Sequence, residues 1–277
     1  MDYRPHLHEF YADRNIACDN FQCPHRQECF GTDGEHKFHR GAEAYVGSRY
    51  GHEGDPCKVV ILAQDKGADP SRDIWKRSKE VEELPIEKIR LHPHLRGTLR
   101  TIQALFERSK DDYEVWKHFA MINAAKCSYH CSNNSAPQRL YRNCAPFALE
   151  ELGILSPDIV VIQGVKALIP LRSFGKLEAE LDRLLIKLSS FKREASERFL
   201  VRSSLEDTGE IDAQIKKHLW LTETRSRKLI CLYTPHPASR RGEWQSFVGE
   251  WKYSANDKHD RHLDFLAAIS RKIAGVL

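Results

Sequence analysis

Short runs of aliphatic residues alternate along the chain with longer amphipathic stretches, and this alternation limits the possible folds more than any other feature. The runs are continuously apolar, as expected of strands that are buried on both faces of a parallel sheet. They are KVVILA (58–63), HFAMIN (118–123), DIVVIQG (158–164) and KLICLYT (228–234). The pattern predicts an α/β fold, with helices on both faces of a central, four-stranded and mainly parallel sheet.

The stretches between and after these runs predict helices and insertions. Apolar spacing of the helical kind occurs at 97–108, near 138–152 and at 260–276. Two charged stretches, at about 72–96 and 172–226, interrupt the alternation. We interpret them as insertions on a single domain that spans 1–277, serving either as a solvated cover or as a surface for a partner or substrate.

Composition narrows the class of protein without identifying it. Only 41% of the residues are hydrophobic, and no apolar run approaches the roughly 20 residues that a membrane span needs. The first residues, MDYRPHLHEF, lack the basic and then apolar pattern of an export signal, so a cytoplasmic location is expected. The net charge of +4 permits nucleic-acid binding without requiring it.

The eight cysteines are unevenly placed. Without an export signal they are expected to remain reduced rather than form disulfides. Three lie in the N-terminal arm (residues 1–44) and three lie mid-chain: Cys18, Cys23, Cys29, Cys127, Cys131 and Cys144. Such clusters predict a metal site, whereas Cys57 and Cys231 stand alone and are expected to be inert.

Polar side chains occur where the predicted strands end. Gln64 and Asp65 follow the first strand, Asn123 ends the second, and His236 follows the fourth. Taken singly, Asp65 suits a helix cap, Asn123 a turn and His236 a satisfied buried histidine. The carboxyl ends of parallel strands meet at one edge of a sheet, where ligands bind in open α/β folds. The ordered set therefore predicts one shared site.

The same segments resemble the uracil-DNA glycosylase superfamily, most closely its iron–sulfur branch. VVILAQD is similar to the water-activating motif, which ends in Gly-Gln-Asp in the best-known branch. MINAAKC and NCAPFALEELGILSPDIVVIQGVKAL resemble an Asn-Ala-Val-Lys-Cys strand, a Cys-x-Pro-Phe-Leu helix and a strand that runs into Gly. TPHPAS resembles the C-terminal His-Pro-Ser or His-Pro-Ala motif. These matches cover roughly 44–72, 118–170 and 228–240, in the family's order.

The resemblance implies a DNA glycosylase that cleaves the N-glycosidic bond of a flipped-out base. Asp65 would orient water and stabilise the positive sugar, and His236 would donate to the departing base oxygen. Asn123 would read the edge of the base, with Gln64 beside it.

The family's other DNA contacts fall near the C-terminal motif. Ser239 would hold a phosphate, and Arg240 and Arg241 would grip the DNA backbone or fill the vacated stack. DNA is thus the expected partner. The alternative is a catalytically silent nucleic-acid-binding protein of the same fold. Asp65 distinguishes the two, because its replacement by Asn or Ala in a glycosylase should abolish base release while leaving DNA binding mostly intact.

The chain departs from the family around the base pocket. Residues 66–68 are Lys-Gly-Ala, where the uracil-specific branch has Pro-Tyr-His, whose tyrosine excludes pyrimidines with a 5-substituent. The stacking aromatic residue of the family aligns with His94 or Leu95, neither of which is Phe. A roomier pocket is expected, for uracil or for a bulky 5-substituted pyrimidine, in DNA repair or in defence against phage with modified DNA.

The iron–sulfur branch also implies a set of metal ligands. The expected ligands are Cys23, Cys29, Cys127 and Cys144. Cys18 is the alternative in the arm, because the spacing there departs from the Cys-x-x-Cys of the family. Four thiolates suit a [4Fe–4S] cluster and also suit zinc, and a local zinc knuckle that includes His36 is a third possibility.

Overall fold

The centre of the protein is a six-stranded mixed sheet. The computed structural model describes residues 2–30, 37–65, 72–109, 112–130, 136–173, 219–224, 227–234 and 236. In spatial order the strands are β2 (Tyr45–Val46), β4 (Phe119–Asn123), β3 (Val59–Ala63), β6 (Ile159–Gln163), β8 (Arg227–Thr234) and β7 (Leu219–Thr224). The central four strands are parallel, and each edge strand runs antiparallel to its neighbour. A mixed α/β fold with a four-stranded parallel centre is therefore confirmed.

The two edge strands are additions to the predicted sheet. β2 has only two residues, too few to produce a recognisable period in the sequence. β7, with the sequence LWLTET, lies in the stretch 172–226 that was interpreted as an insertion. Both are paired on one side only within the described sheet, so neither has the two neighbouring strands of a central strand.

Burial on both faces explains the continuous apolar runs. Every residue of β3, β4 and β6 is buried. Successive side chains of a strand point to opposite faces, so Val60 and Leu62 join one hydrophobic cluster while Val59 and Ile61 join the other.

Helices supply the rest of both clusters. They are α1 (Arg4–Asp13), α2 (Arg26–Phe30), α3 (Ile74–Glu82), α4 (Ile86–Leu91), α5 (Pro93–Leu105) and α6 (Gln138–Leu155), with 3-10 helices at Glu114–His118 and Val165–Ser173. Leu7 of α1 and Leu140 of α6 belong to the first cluster, and Leu99 and Ile102 of α5 belong to the second. None of the helices in the described ranges has the length and apolarity that crossing a membrane requires.

Two helix boundaries differ from the predicted ones in ways that affect the site. α5 begins at Pro93, whose fixed φ suits the first helical position, so His94 and Leu95 lie in its first turn. α6 continues to Leu155 and ends where Ser156 adopts the left-handed conformation, with φ at 46°.

The stretch 72–96 packs on the core through part of its length. It forms α3, α4 and the first turn of α5, with Ile74 and Ile89 fully or almost fully buried. Asp73 caps α3 by accepting a hydrogen bond from the Lys76 amide at 2.7 Å. Most of 172–226 and the predicted helix 260–276 lie outside the described residues.

A small second sheet joins the N-terminal arm to the mid-chain segment. β1 (Lys37–Arg40) pairs antiparallel with β5 (Cys127–His130), and Arg40 is opposite Cys127 in the register. This pairing brings the arm to the residues that follow β4.

Candidate active site

The predicted polar residues meet at the carboxyl edge of the parallel strands. Ala63, the last residue of β3, is opposite Asn123, the last residue of β4. The pairing continues past both strands, because the Ala125 amide donates to the Gln64 carbonyl at 3.0 Å. Gln64 and Asp65 therefore emerge beside Asn123, as their positions in the sequence indicated.

Gly164 closes the other side of this edge. It follows β6 with φ at +92°, a conformation that side chains rarely adopt. A Cβ at this position would overlap Gln64 Nε2 and would lie 3.0 Å from His236 Cβ. The absence of a side chain thus allows Gln64 and His236 to approach the same backbone from two strands.

Asn123 carries a buried amide with an unused donor. The residue is 4% exposed, and its Nδ2 has no hydrogen-bond partner among the described residues. Trp116 Nε1 shares this condition, but it lies before β4, at the opposite end of the strand. Leaving a buried donor unpaired costs about 1–3 kcal/mol, so this amide is available to donate to a molecule bound at the edge of the sheet.

Asp65 accepts a hydrogen bond from a residue that sequence reasoning missed. Tyr141 Oη, on α6, donates to Asp65 Oδ2 at 2.9 Å. Burial, and then the nearby Asp65 charge, raise the pKa of Tyr141, so the phenol keeps its proton and remains a donor. Lys166 lies over the Tyr141 ring, with Nζ 5.7 Å from the ring centroid, and donates a hydrogen bond to the Ala136 carbonyl.

The surroundings of His236 favour its neutral form, because its pKa is lowered. Burial lowers the pKa of His236, while the Asp65 carboxylate acts in the opposite direction. This opposing effect also places His236 and Asp65 within electrostatic range of each other. A neutral imidazole can donate one N–H to a developing anion without first losing a proton.

His94 packs against His236. Their ring centroids are 5.4 Å apart, with a 33° angle between the planes. Burial, and then His236, lower the pKa of His94 to about 3, although a hydrogen bond with Gln163 opposes this. His94 therefore lies at the site. Leu95, the next residue on α5, instead packs against the second hydrophobic cluster.

Four of the cysteines share one neighbourhood. A hydrogen bond between the Cys127 and Cys144 thiols raises the pKa of Cys127 and lowers that of Cys144. Cys23 and Cys29 are close enough to Cys144 for their charges to interact, and both also act on Cys127. Burial is the main reason that the pKa of Cys23 is raised to about 11. Cys18 instead lies near the acidic side chains of Glu43, Asp73 and Asp19.

Two N–H groups near these cysteines donate hydrogen bonds to their sulfur atoms. Asn143 Nδ2 donates to Cys29 Sγ, and the Lys126 amide donates to Cys144 Sγ, both at 3.3 Å. N–H donors to sulfur are typical of metal-bound thiolates. Among the described residues, no three His, Cys, Asp or Glu side chains are arranged around a single metal ion. A four-iron cluster places each thiolate on its own iron, so it needs a wider arrangement than a single ion does.

Some of the other predicted residues lie outside the described ranges, whereas the two single cysteines lie within them. Ser239, Arg240, Arg241 and Cys131 lie outside the described residues. Cys57 and Cys231 are buried singly in the hydrophobic clusters, in keeping with inert thiols.

Comparison with known proteins adds no further information on this site. The chain matches none of the protein-family models, and no curated protein matches it significantly.

Tyr141 and Lys166 are the two site residues that the sequence reasoning did not single out. Tyr141 lies one helical turn before Cys144, and residues three apart share a helix face. This spacing was the available signal. Lys166 lies two residues after Gly164, the residue that follows β6. This position places Lys166 at the same edge of the sheet as Asp65.

Proposed function

We propose that the protein is a DNA glycosylase of the uracil-DNA glycosylase type, with the three-layer α/β/α arrangement of that fold. The observation that carries the proposal is the buried Asn123 amide, whose donor is unpaired at the edge where Asp65 and His236 also lie. An amide with one donor and one acceptor can match the donor and acceptor edge of a pyrimidine. The base must leave the DNA stack to reach it.

The proposed reaction is hydrolysis of the bond between the base and C1′ of the sugar. As this bond breaks, the sugar becomes positively charged and the base negatively charged. The Asp65 carboxylate stabilises the sugar and orients a water molecule, whose oxygen bonds to C1′ while one of its protons passes to Asp65 and then to the departing base anion. The neutral His236 donates to the base oxygen, where the negative charge develops. The products are an abasic site and the free base.

The substrate class is proposed from the sequence around the pocket. Residues 66–68 lack the tyrosine that excludes 5-substituted pyrimidines in the uracil-specific branch. His94, which with Leu95 aligns with the stacking position of the family, packs on His236. We propose a bulky 5-substituted pyrimidine, or uracil, as the base, with a role in defence against phage with modified DNA or in repair.

The four gathered cysteines fit a [4Fe–4S] cluster, with zinc as the alternative. Cys23 and Cys29 from the arm, with Cys127 and Cys144, provide the four thiolates that either group requires. When bound, the group would supply a cross-link between the arm, β5 and α6. Base hydrolysis needs no redox step from it.

An assay for abasic sites tests the proposal. Purified protein is incubated with single- and double-stranded oligonucleotides that contain uracil, 5-hydroxymethylcytosine or glucosylated 5-hydroxymethylcytosine, and abasic sites are then cleaved with alkali. We expect strand cleavage with at least one of them, and none with Asp65→Asn. DNA binding without base release from any oligonucleotide would support the silent nucleic-acid-binding alternative. Release from uracil alone would refute the larger pocket.

A further inference from the structure

We propose that Tyr141 is a positioning residue, which holds the Asp65 carboxylate in the orientation that the reaction needs. The inference rests on the proposed function, because it assigns a role within the same site. Tyr141 does not contact the base in this proposal, and its effect on the reaction passes through Asp65.

The geometry shows a built contact rather than a chance one. Tyr141 is 1% exposed, and its hydroxyl lies 2.9 Å from Asp65 Oδ2. The two residues are far apart in sequence and come from different elements, α6 and the end of β3. Since the raised pKa of Tyr141 keeps its proton in place, the phenol always presents a donor to the carboxylate.

Tyr141 is itself buried and is contacted by Lys166. Leu140, its neighbour on α6, is fully buried, and Cys144 lies one turn further along the same face. Lys166 covers the ring, and its Nζ is bound to the Ala136 carbonyl just before α6 begins. The hydroxyl therefore has a fixed position relative to the sheet edge.

A donor in a fixed position restricts how the carboxylate can rotate. A hydrogen bond to Oδ2 fixes the plane of the carboxylate and thus the direction in which it orients water toward C1′. Catalytic groups must be held within about 0.5 Å of their productive position. A misplacement of ~1 Å costs on the order of 100-fold in rate. The hydroxyl is therefore expected to affect the chemical step much more than DNA binding.

The test uses Tyr141→Phe, which removes the hydroxyl and keeps the ring. Tyr50→Phe is the matched control, since Tyr50 is 5% exposed and donates to the Leu155 carbonyl at 3.0 Å, away from Asp65. We expect Tyr141→Phe to lower the single-turnover rate of base release on the order of 10- to 100-fold, the loss typical of a hydrogen bond to a charged group. DNA affinity should change little in either variant, and the Tyr50→Phe rate should remain near the wild-type rate. A Tyr141→Phe rate equal to that of Tyr50→Phe would overturn the proposal.

A denaturant-unfolding cycle distinguishes this inference from the proposed function. Tyr141→Phe, Asp65→Ala and the double variant are compared with the wild type, because alanine, unlike asparagine, leaves no acceptor for the Tyr141 hydroxyl. If the contact exists, the double variant loses less stability than the sum of the single losses. Additive losses would overturn the contact, and with it the inference. Absence of base release by the wild type would refute the proposed function, while the cycle would still support or overturn the contact.

Discussion

Replacing Asn123 by Leu should abolish base release without destabilising the protein. The side chains are similar in size, and the substitution removes a buried donor that has no partner among the described residues. An unpaired buried donor costs about 1–3 kcal/mol, and apolar replacement of the same shape can recover part of this cost. We therefore expect the free energy of unfolding to stay the same or to rise by up to about 2 kcal/mol.

Gln163→Met provides the matched control. Gln163 is fully buried at the end of β6, two strands away from Asn123, but its amide is paired with Thr98 at 3.0–3.2 Å and also hydrogen-bonds His94. Its replacement leaves Thr98 without that partner, so a loss of about 1–3 kcal/mol is expected. In a chain of this size, each 1 kcal/mol corresponds to roughly 2–4 °C in Tm.

Denaturant unfolding and single-turnover base release are measured on both variants. The reasoning predicts opposite effects on stability, with Asn123→Leu neutral or stabilised and Gln163→Met destabilised. Equal destabilisation of the two variants would show that the Asn123 amide is satisfied within the fold. Base release by Asn123→Leu at the wild-type rate would show that it does not read the base.

Three further predictions follow from the site. Gly164→Ala should lower stability and base release, because its Cβ would overlap Gln64 at a strained φ. Gly153→Ala is the control and should be neutral or stabilising, because nothing lies within 4 Å of the new Cβ. Equal melting temperatures of the two variants would refute this prediction. The folded protein should lose stability as the pH falls below about 6.5, since the pKa of His94 is lowered to about 3 and the unfolded chain then binds more protons. His94→Phe should flatten this dependence in pH-dependent unfolding, and an unchanged slope would contradict it. Cys23→Ser should reduce both the bound iron or zinc and the melting temperature, while Cys18→Ser should retain both. Metal analysis and thermal unfolding measure these effects. Loss of metal from Cys18→Ser alone would show that Cys18, and not Cys23, is the ligand.

The parallel centre of the fold was predictable because its strands are buried on both faces. Continuous runs such as VVILA and IVVIQ have few other uses in a chain of ordinary composition. The edge strands β2 and β7 were not predictable, since each depends on a partner strand more than on its own sequence. The early start of α5 at Pro93 was available from the sequence, but the apolar spacing alone placed it later.

The site was predictable to the extent that it lies at strand ends. Gln64, Asp65 and Asn123 follow from the register of two neighbouring parallel strands. Tyr141 was not predictable, because its contact with Asp65 depends on how α6 crosses the sheet. The separation of Cys18 from the other thiols likewise depends on the path of the arm, which its spacing does not reveal.

A crystal structure of Asp65→Asn bound to an oligonucleotide with the best substrate base tests the central claim most directly. The account predicts a base that is flipped out of the DNA, with an acceptor atom about 3 Å from Asn123 Nδ2 and its C1′ between residue 65 and His236. A base that remains stacked in the DNA, or that binds away from the Asn123 amide, would contradict it.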